Sequence, residues 1–362
     1  MHCGSVVLRF ASSVGRHVVR WLPVALLLNA AASSTQQVQP RPVAKVELSE
    51  LLGDKTSTSE LRGNVAFVST DSIALWVAER SEAAAECTLF TMRWTNGQLQ
   101  PAARTERVNC TRAPYKQLQG GPDGGIIAGV RLFSSDLVRW RDLPSDFDAV
   151  SQTGRTIASS MGKSSVIYRL TPEPREIRTI PGSIRAMSDD DVVVRAGDAI
   201  RTETIDGHIL GSFPLTELRC LPRVEIVNDE KLYVLDCGKH GFMDFRGKRL
   251  AWVRRLDGDL SYSGSGIGGH GLLLQMKTRK GSLLQNFREG PDKPWNGVSV
   301  WVLDTTNAQS CFHWQSPLAN PEGEGGPPTS YSRAVSPTGE FVAIVTPTTL
   351  EVFRVPAPCG LE

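Results

Sequence analysis

The chain has 362 residues, and its 40 basic and 38 acidic side chains leave a formal net charge of only +2. That balance excludes the basic field that nucleic-acid binding draws on. Aromatic residues make up 7%, against 33 glycines and 22 prolines, which suits many short strands joined by turns rather than long helices.

The first elements are targeting signals. Arg9, Arg16, His17 and Arg20 precede an apolar run from Trp21 to Ala32, and Ala30, Ala31 and Ala32 form a small-residue cleavage site. This is the pattern of a signal peptide over residues 1–32. The run is shorter than the roughly 20 residues a bilayer span needs, so no membrane span is expected in the mature chain. The polar, proline-punctuated residues 33–42 read as a disordered spacer. A single domain over 43–362 is expected outside the cytoplasm, in a periplasmic or extracellular setting. It begins with "VAKVELSEL" (Val43 to Leu51), where Ala44, Val46 and Leu48 alternate with Lys45 and Glu47 as in a strand.

From Phe67 onward one pattern recurs: a turn built from Ser, Asn, Asp or Gly, then a β-branched or aliphatic run. The copies are "FVSTDSIALWV", "GGPDGGIIAGV", "AVSQTGRTIASS", "AMSDDDVVVRAG", "EIVNDEKLYVLD", "GIGGHGLLLQM" and "AVSPTGEFVAIV". A second half-motif lies downstream of several copies, as in "MRWTNGQLQ", "TETIDGHIL" and "DFRGKRLAW". The Asn-Gly and Asp-Gly pairs in the first two favour the turns that match strand twist, so these segments read as hairpins. Each unit is then four strands over about 35 to 50 residues, the period of propeller blades. The fold expected is an all-β, seven-bladed propeller, with spacing that also accommodates six or eight blades. The last unit lacks an outer strand, and Val43 to Leu51 is the candidate to supply it and close the ring. An open pair of β-sandwiches is the competing arrangement.

The segment "SPTGEFVAIV" (Ser336 to Val345) resembles the Ser-Pro-Asp-Gly repeat of WD-repeat-like β-propellers, with Thr338 in the Asp position. The resemblance implies fold and carries no catalytic residues. Val302 to Trp314 is also similar to the docking repeat of quinone-cofactor propellers. It holds a single degraded copy, with Asn307 where that repeat has glycine, and reads as shared blade ancestry; no cofactor is expected.

Cys3 leaves with the signal, and Cys87, Cys110, Cys220, Cys237, Cys311 and Cys359 remain. In an oxidising compartment six cysteines favour disulfides. Proximity in sequence favours Cys87 with Cys110 and Cys220 with Cys237, which leaves Cys311 with Cys359. There is no CxxC to suggest redox or zinc chemistry.

Two stretches without strand periodicity, Arg288 to Asn296 and Ser316 to Ser330, read as loops. Trp295 in the first is a candidate ligand contact. Of the four histidines after the leader, His208 falls in an exposed hairpin turn, His240 in a turn beside a disulfide, and His313 in a packed strand. His270, just before an apolar run, is the second candidate binding residue. Asp189, Asp190 and Asp191 read as a solvated turn, because a calcium loop spaces its oxygen ligands differently. No serine-hydrolase elbow is present, and no catalytic residue or metal site is assigned. The function these features support is a non-enzymatic module that binds or scaffolds an unidentified protein or polymer. The alternative is a hydrolase or lyase with its site in the central channel.

Overall fold

The computed structural model describes residues 40–53, 61–79, 86–95, 98–109, 118–144, 146–218, 220–228, 230–236, 239–244, 251–256, 265–268, 271–278, 297–307, 309–316 and 332–356. Strand β1 (Ala44–Glu47) is followed by a five-residue helix, α1 (Leu48–Leu52). The first sheet then comprises β2 (Leu61–Ser69), β3 (Ser72–Glu79), β4 (Glu86–Thr95) and β5 (Gln98–Asn109). The second is built of very short strands: β6 (Leu118–Gly120), β7 (Ile126–Ala128), β8 (Arg131–Phe133) and β9 (Trp140–Asp142). The third holds β10 (Ala149–Val150), β11 (Thr156–Met161), β12 (Ser164–Arg169) and β13 (Arg175–Pro181). The fourth runs through β14 (Ser183–Met187), β15 (Asp191–Ala196), β16 (Ala199–Thr204) and β17 (Ile209–Pro214). The fifth contains β18 (Arg223–Asn228), β19 (Lys231–Asp236), β20 (Lys239–Asp244) and β21 (Ala251–Leu256). The sixth contains β22 (Ser265–Gly268), β23 (Gly271–Thr278), β24 (Gly297–Asp304) and β25 (Ser310–Gln315).

The seventh sheet is the informative one. It joins β26 (Ser332–Val335), β27 (Phe341–Val345) and β28 (Thr349–Arg354) to β1, in the order β1-β28-β27-β26. Among the described residues there are thus seven four-stranded antiparallel sheets, six in simple meander order and one completed from the other end of the chain. The register sets Ala44 against Val352 and Glu47 against Thr349. The expected strand through Leu51 is cut short there. Because β28 begins at Thr349, the ladder ends at Glu47. The Leu48 amide bonds the Thr348 carbonyl at 2.8 Å, the backbone turns helical, and the Leu48 side chain is fully buried.

Among the described residues the recurring turn follows the first strand of a sheet. In the third sheet the Ser151 amide donates to the Thr156 carbonyl, the Ser151 Oγ accepts from the Thr156 amide at 3.1 Å, and the Gly154 amide donates to the Ser151 carbonyl. In the seventh, Ser336, Phe341 and Gly339 repeat each of these bonds, the side-chain one again at 3.1 Å. Both glycines have positive φ, 69° and 77°. At Gly154 a Cβ would stand 2.3 Å from the Gly120 carbonyl oxygen of the preceding sheet, so only glycine fits.

Apolar clusters fill the wedges between neighbouring sheets. Leu75 and Phe90 of the first sheet meet Val345 and Val352 of the seventh. Ile127 and Leu132 of the second meet Ile157 and Leu170 of the third. Val300 and Phe312 of the sixth meet Val342 and Phe353 of the seventh. Ring closure adds a polar lock, in which Ser332 Oγ donates to Asn64 Oδ1 at 2.5 Å across the seventh and first sheets. Sheets that each pack against two neighbours, with the last completed by the first strand, define a β-propeller.

Candidate functional site

In an antiparallel four-stranded sheet, the turn after the innermost strand and the turn between the third and outer strands lie at one end. The second turn and the connection to the next sheet lie at the other. A cavity of about 280 Å³ opens at the first of these ends, between the sixth and seventh sheets. The sixth sheet contributes Gly271, Val302, Asp304 and Cys311; the seventh contributes Thr338, Gly339, Glu340 and the exit of β28 from Arg354 to Pro356.

The registers decide which side chains face it. Val298, Val300 and Val302 alternate along β24 and all join the cluster shared with the seventh sheet, so Asp304 continues that face. Glu340 lies opposite Val355, whose amide donates to the Glu340 carbonyl at 2.8 Å, and it precedes Val342 by two residues on the same face. Phe341 is paired with Arg354, and Phe341 packs at 5.1 Å on Trp94 of the first sheet. Arg354 therefore shares the face of Phe341 in the pairing, and it also lines the cavity. A bulge in the β24–β25 pairing, between the partners of Val302 and Leu303, turns Cys311 onto the cavity side, where it packs with the cluster.

Asp304 is 4% exposed. Its Oδ1 accepts from the Thr306 amide at 2.7 Å and the Thr306 hydroxyl at 2.6 Å, which fixes the carboxylate and shapes the turn into β25. Glu340 is exposed at the rim, within 3.5 Å of the Thr338 hydroxyl. Two carboxylates from facing sheets thus share one cavity, one buried and hydrogen-bonded, the other exposed. Among the described residues no group of three or more His, Cys, Asp or Glu side chains could hold a metal ion, and no described helix is long and apolar enough to cross a membrane.

His270 and Trp295 both lie outside the described residues. His240 corrects an expectation. It belongs to β20, is 6% exposed, and sets Nδ1 3.4 Å from the Tyr233 hydroxyl, because Leu235 pairs with it across the sheet. Burial, with a smaller push from Glu225, raises the Tyr233 phenol far above its ordinary range. His208 is exposed in its hairpin turn as expected. His313 stacks on Trp301 at 3.8 Å, and burial lowers its pKa.

Asp189 is more than a solvated turn residue. It accepts from Thr153 Oγ1 at 2.7 and 2.8 Å and from Thr156 Oγ1 at 3.2 Å, tying the third sheet to the fourth. Cys87 and Cys220 are each disulfide-bonded; Cys110 and Cys237 lie outside the described residues. Cys311 carries a thiol, its Sγ 3.9 Å from the Gln309 carbonyl oxygen, and Cys359 is likewise outside them.

No protein-family model matches the chain, and no curated protein is similar to it. Among solved structures it is similar to Kluyvelomyces marxianus Hsv2, at 9% identity and a TM-score of 0.45. It is also similar to KlHsv2 with loop 6CD replaced by a Gly-Ser linker, at 10% identity and a TM-score of 0.42. Each comparison covers 76% of this chain and 85% of the other. At that level the likeness says nothing of ligand or partner, and the fold class rests on the sheets themselves.

Proposed function

We propose that this β-propeller is a non-enzymatic binding or scaffolding module, of the seven-bladed, WD-repeat-like kind, that engages a protein partner through the cavity-bearing end. One observation carries this reading: a cavity at the rim of the sixth and seventh sheets, whose buried carboxylate is already held by two hydrogen bonds. A carboxylate so restrained suits a fixed acceptor better than a general base, which must be placed to exchange a proton with substrate. Propeller folds host many functions, so the site must carry the reading.

Export belongs to the same proposal. The leader over 1–32 would be removed near Ser33, and the disulfide-bonded state of Cys87 and Cys220 supports pairing with Cys110 and Cys237 in an oxidising compartment. Amino-terminal sequencing of the mature protein, with peptide mapping under non-reducing conditions, tests both points.

Partner engagement is tested with a photo-crosslinking residue placed in the native host at Thr338, on the cavity rim, or at Met161, exposed at the opposite end. A defined adduct from Thr338 alone is expected. Equal adducts from both positions, or none from Thr338, would overturn the reading.

A further inference from the structure

We propose that the cavity between the sixth and seventh sheets receives a lysine side chain of the bound partner; this rests on the binding-module reading above. Asp304 and Glu340 face the cavity from opposite sheets, and the one cation among the described residues that also lines it, Arg354, is paired with Phe341 on the face turned toward the first sheet. The walls between the carboxylates are apolar, Val302 and Val355, with Pro356 at the mouth. An aliphatic stem ending in an ammonium group matches that order of surfaces, stem on the valines and charge between the carboxylates.

Size points the same way. At about 280 Å³ the cavity has room for one long side chain. Asp304 adds a reason for the cation. A buried carboxylate loses hydration, and an opposite charge brought close offsets that loss. Glu340, out at the rim, steers the approaching ammonium and contributes on-rate that falls with salt.

The origin of the cavity lies in ring closure. In the fourth sheet the third and outer strands are joined through Ile205 to His208, and Arg178 of the third sheet reaches into that wedge to bond the Thr204 and Ile205 carbonyls, each at 3.3 Å. Among the described residues the seventh sheet has no such turn, since β28 leaves at Val355 and β1 arrives separately at Val43.

The test titrates the full chain with the pentapeptide acetyl-Gly-Gly-Lys-Gly-Gly-amide and follows backbone amide shifts by NMR. Expected are shifts centred on Gly339, Glu340 and Val355, lost when the lysine is acetylated or replaced by glutamate. Glu340→Gln should weaken binding by about tenfold, the effect of removing one charged hydrogen-bond partner. Asp304→Asn, which keeps an oxygen for Thr306, should weaken it at least as much. If the acetylated peptide binds equally well, or the shifts fall elsewhere, the proposal is wrong. A missing Thr338 adduct with lysine-dependent peptide binding counts against the binding-module reading alone. Binding indifferent to the lysine charge counts against this proposal alone, whatever the adduct.

Discussion

The wedge between the third and fourth sheets and the wedge between the sixth and seventh are built from the same strands in the same order, yet one is filled and the other hollow. In the first, Glu203 is 1% exposed and pairs with both Arg178, at 3.0 Å, and Arg201. Gly207 lies so close that a Cβ would meet the Arg178 guanidinium at 3.1 Å. Between the fourth and fifth sheets a cavity lined by Ile200, Phe213 and Val234 measures only about 10 Å³. Between the sixth and seventh it is about 280 Å³. The difference is one of connectivity: the turn of the fourth sheet buries Ile205 and offers carbonyls to Arg178, and among the described residues no turn joins β28 to β1.

The largest effect that would sharpen this contrast is at Glu203. Glu203→Gln leaves two guanidinium groups facing a neutral amide and should cost about 3 kcal/mol in urea denaturation. Glu340→Gln, at the exposed rim of the hollow wedge, should change stability by no more than about 0.5 kcal/mol. Equal costs would remove the distinction between a structural and a vacant wedge. Next comes closure itself. Leu48 is fully buried beside the closing strand, so Leu48→Ala should cost roughly 2 to 3 kcal/mol and should speed hydrogen exchange in β28 more than in β15. Gly207→Ala adds a side chain at φ 105° against Arg178 and should cost about 2 kcal/mol.

Much of the comparison was legible beforehand, and the reasons are local. All seven turn-and-strand copies form the first hairpin of a sheet, because a serine, asparagine or glycine turn followed by β-branched residues is specified by neighbours in sequence. Closure by Val43 onward could be read from alternation over Ala44 to Glu47. Its end could not, since the helix at Leu48 depends on where β28 begins. The cavity was hidden for a deeper reason. It needs Asp304 and Glu340 on facing sheets, the Cys311 bulge, and a register that pairs Arg354 with Phe341, and no short segment encodes any of these. The Thr153–Asp189 link is likewise a product of ring geometry. His240 was misplaced because the glycine on either side suggested a turn, whereas Gly238 precedes the strand and Gly241 lies within it.

The smallest expected effect concerns pH. Burial lowers the pKa of His313 from its ordinary value of 6.5. As pH falls through about 6.5, the unfolded chain binds a proton that the folded histidine resists, so stability present above that pH is lost below it. Thermal unfolding between about pH 7.5 and pH 5 should show this decline, and His313→Gln should make it shallower. An unchanged slope would mean that the stack on Trp301 does not govern the titration.

The most direct measurement closes the hollow wedge covalently. A permuted chain would join Pro356 to Val43 through a short Asn-Gly turn, with new ends between Thr278 and Gly297. The expected result is a folded ring, at least as stable as the natural one, that no longer binds the lysine pentapeptide. A joined ring that folds and binds the pentapeptide with undiminished affinity would contradict the link between ring closure, the cavity and recognition.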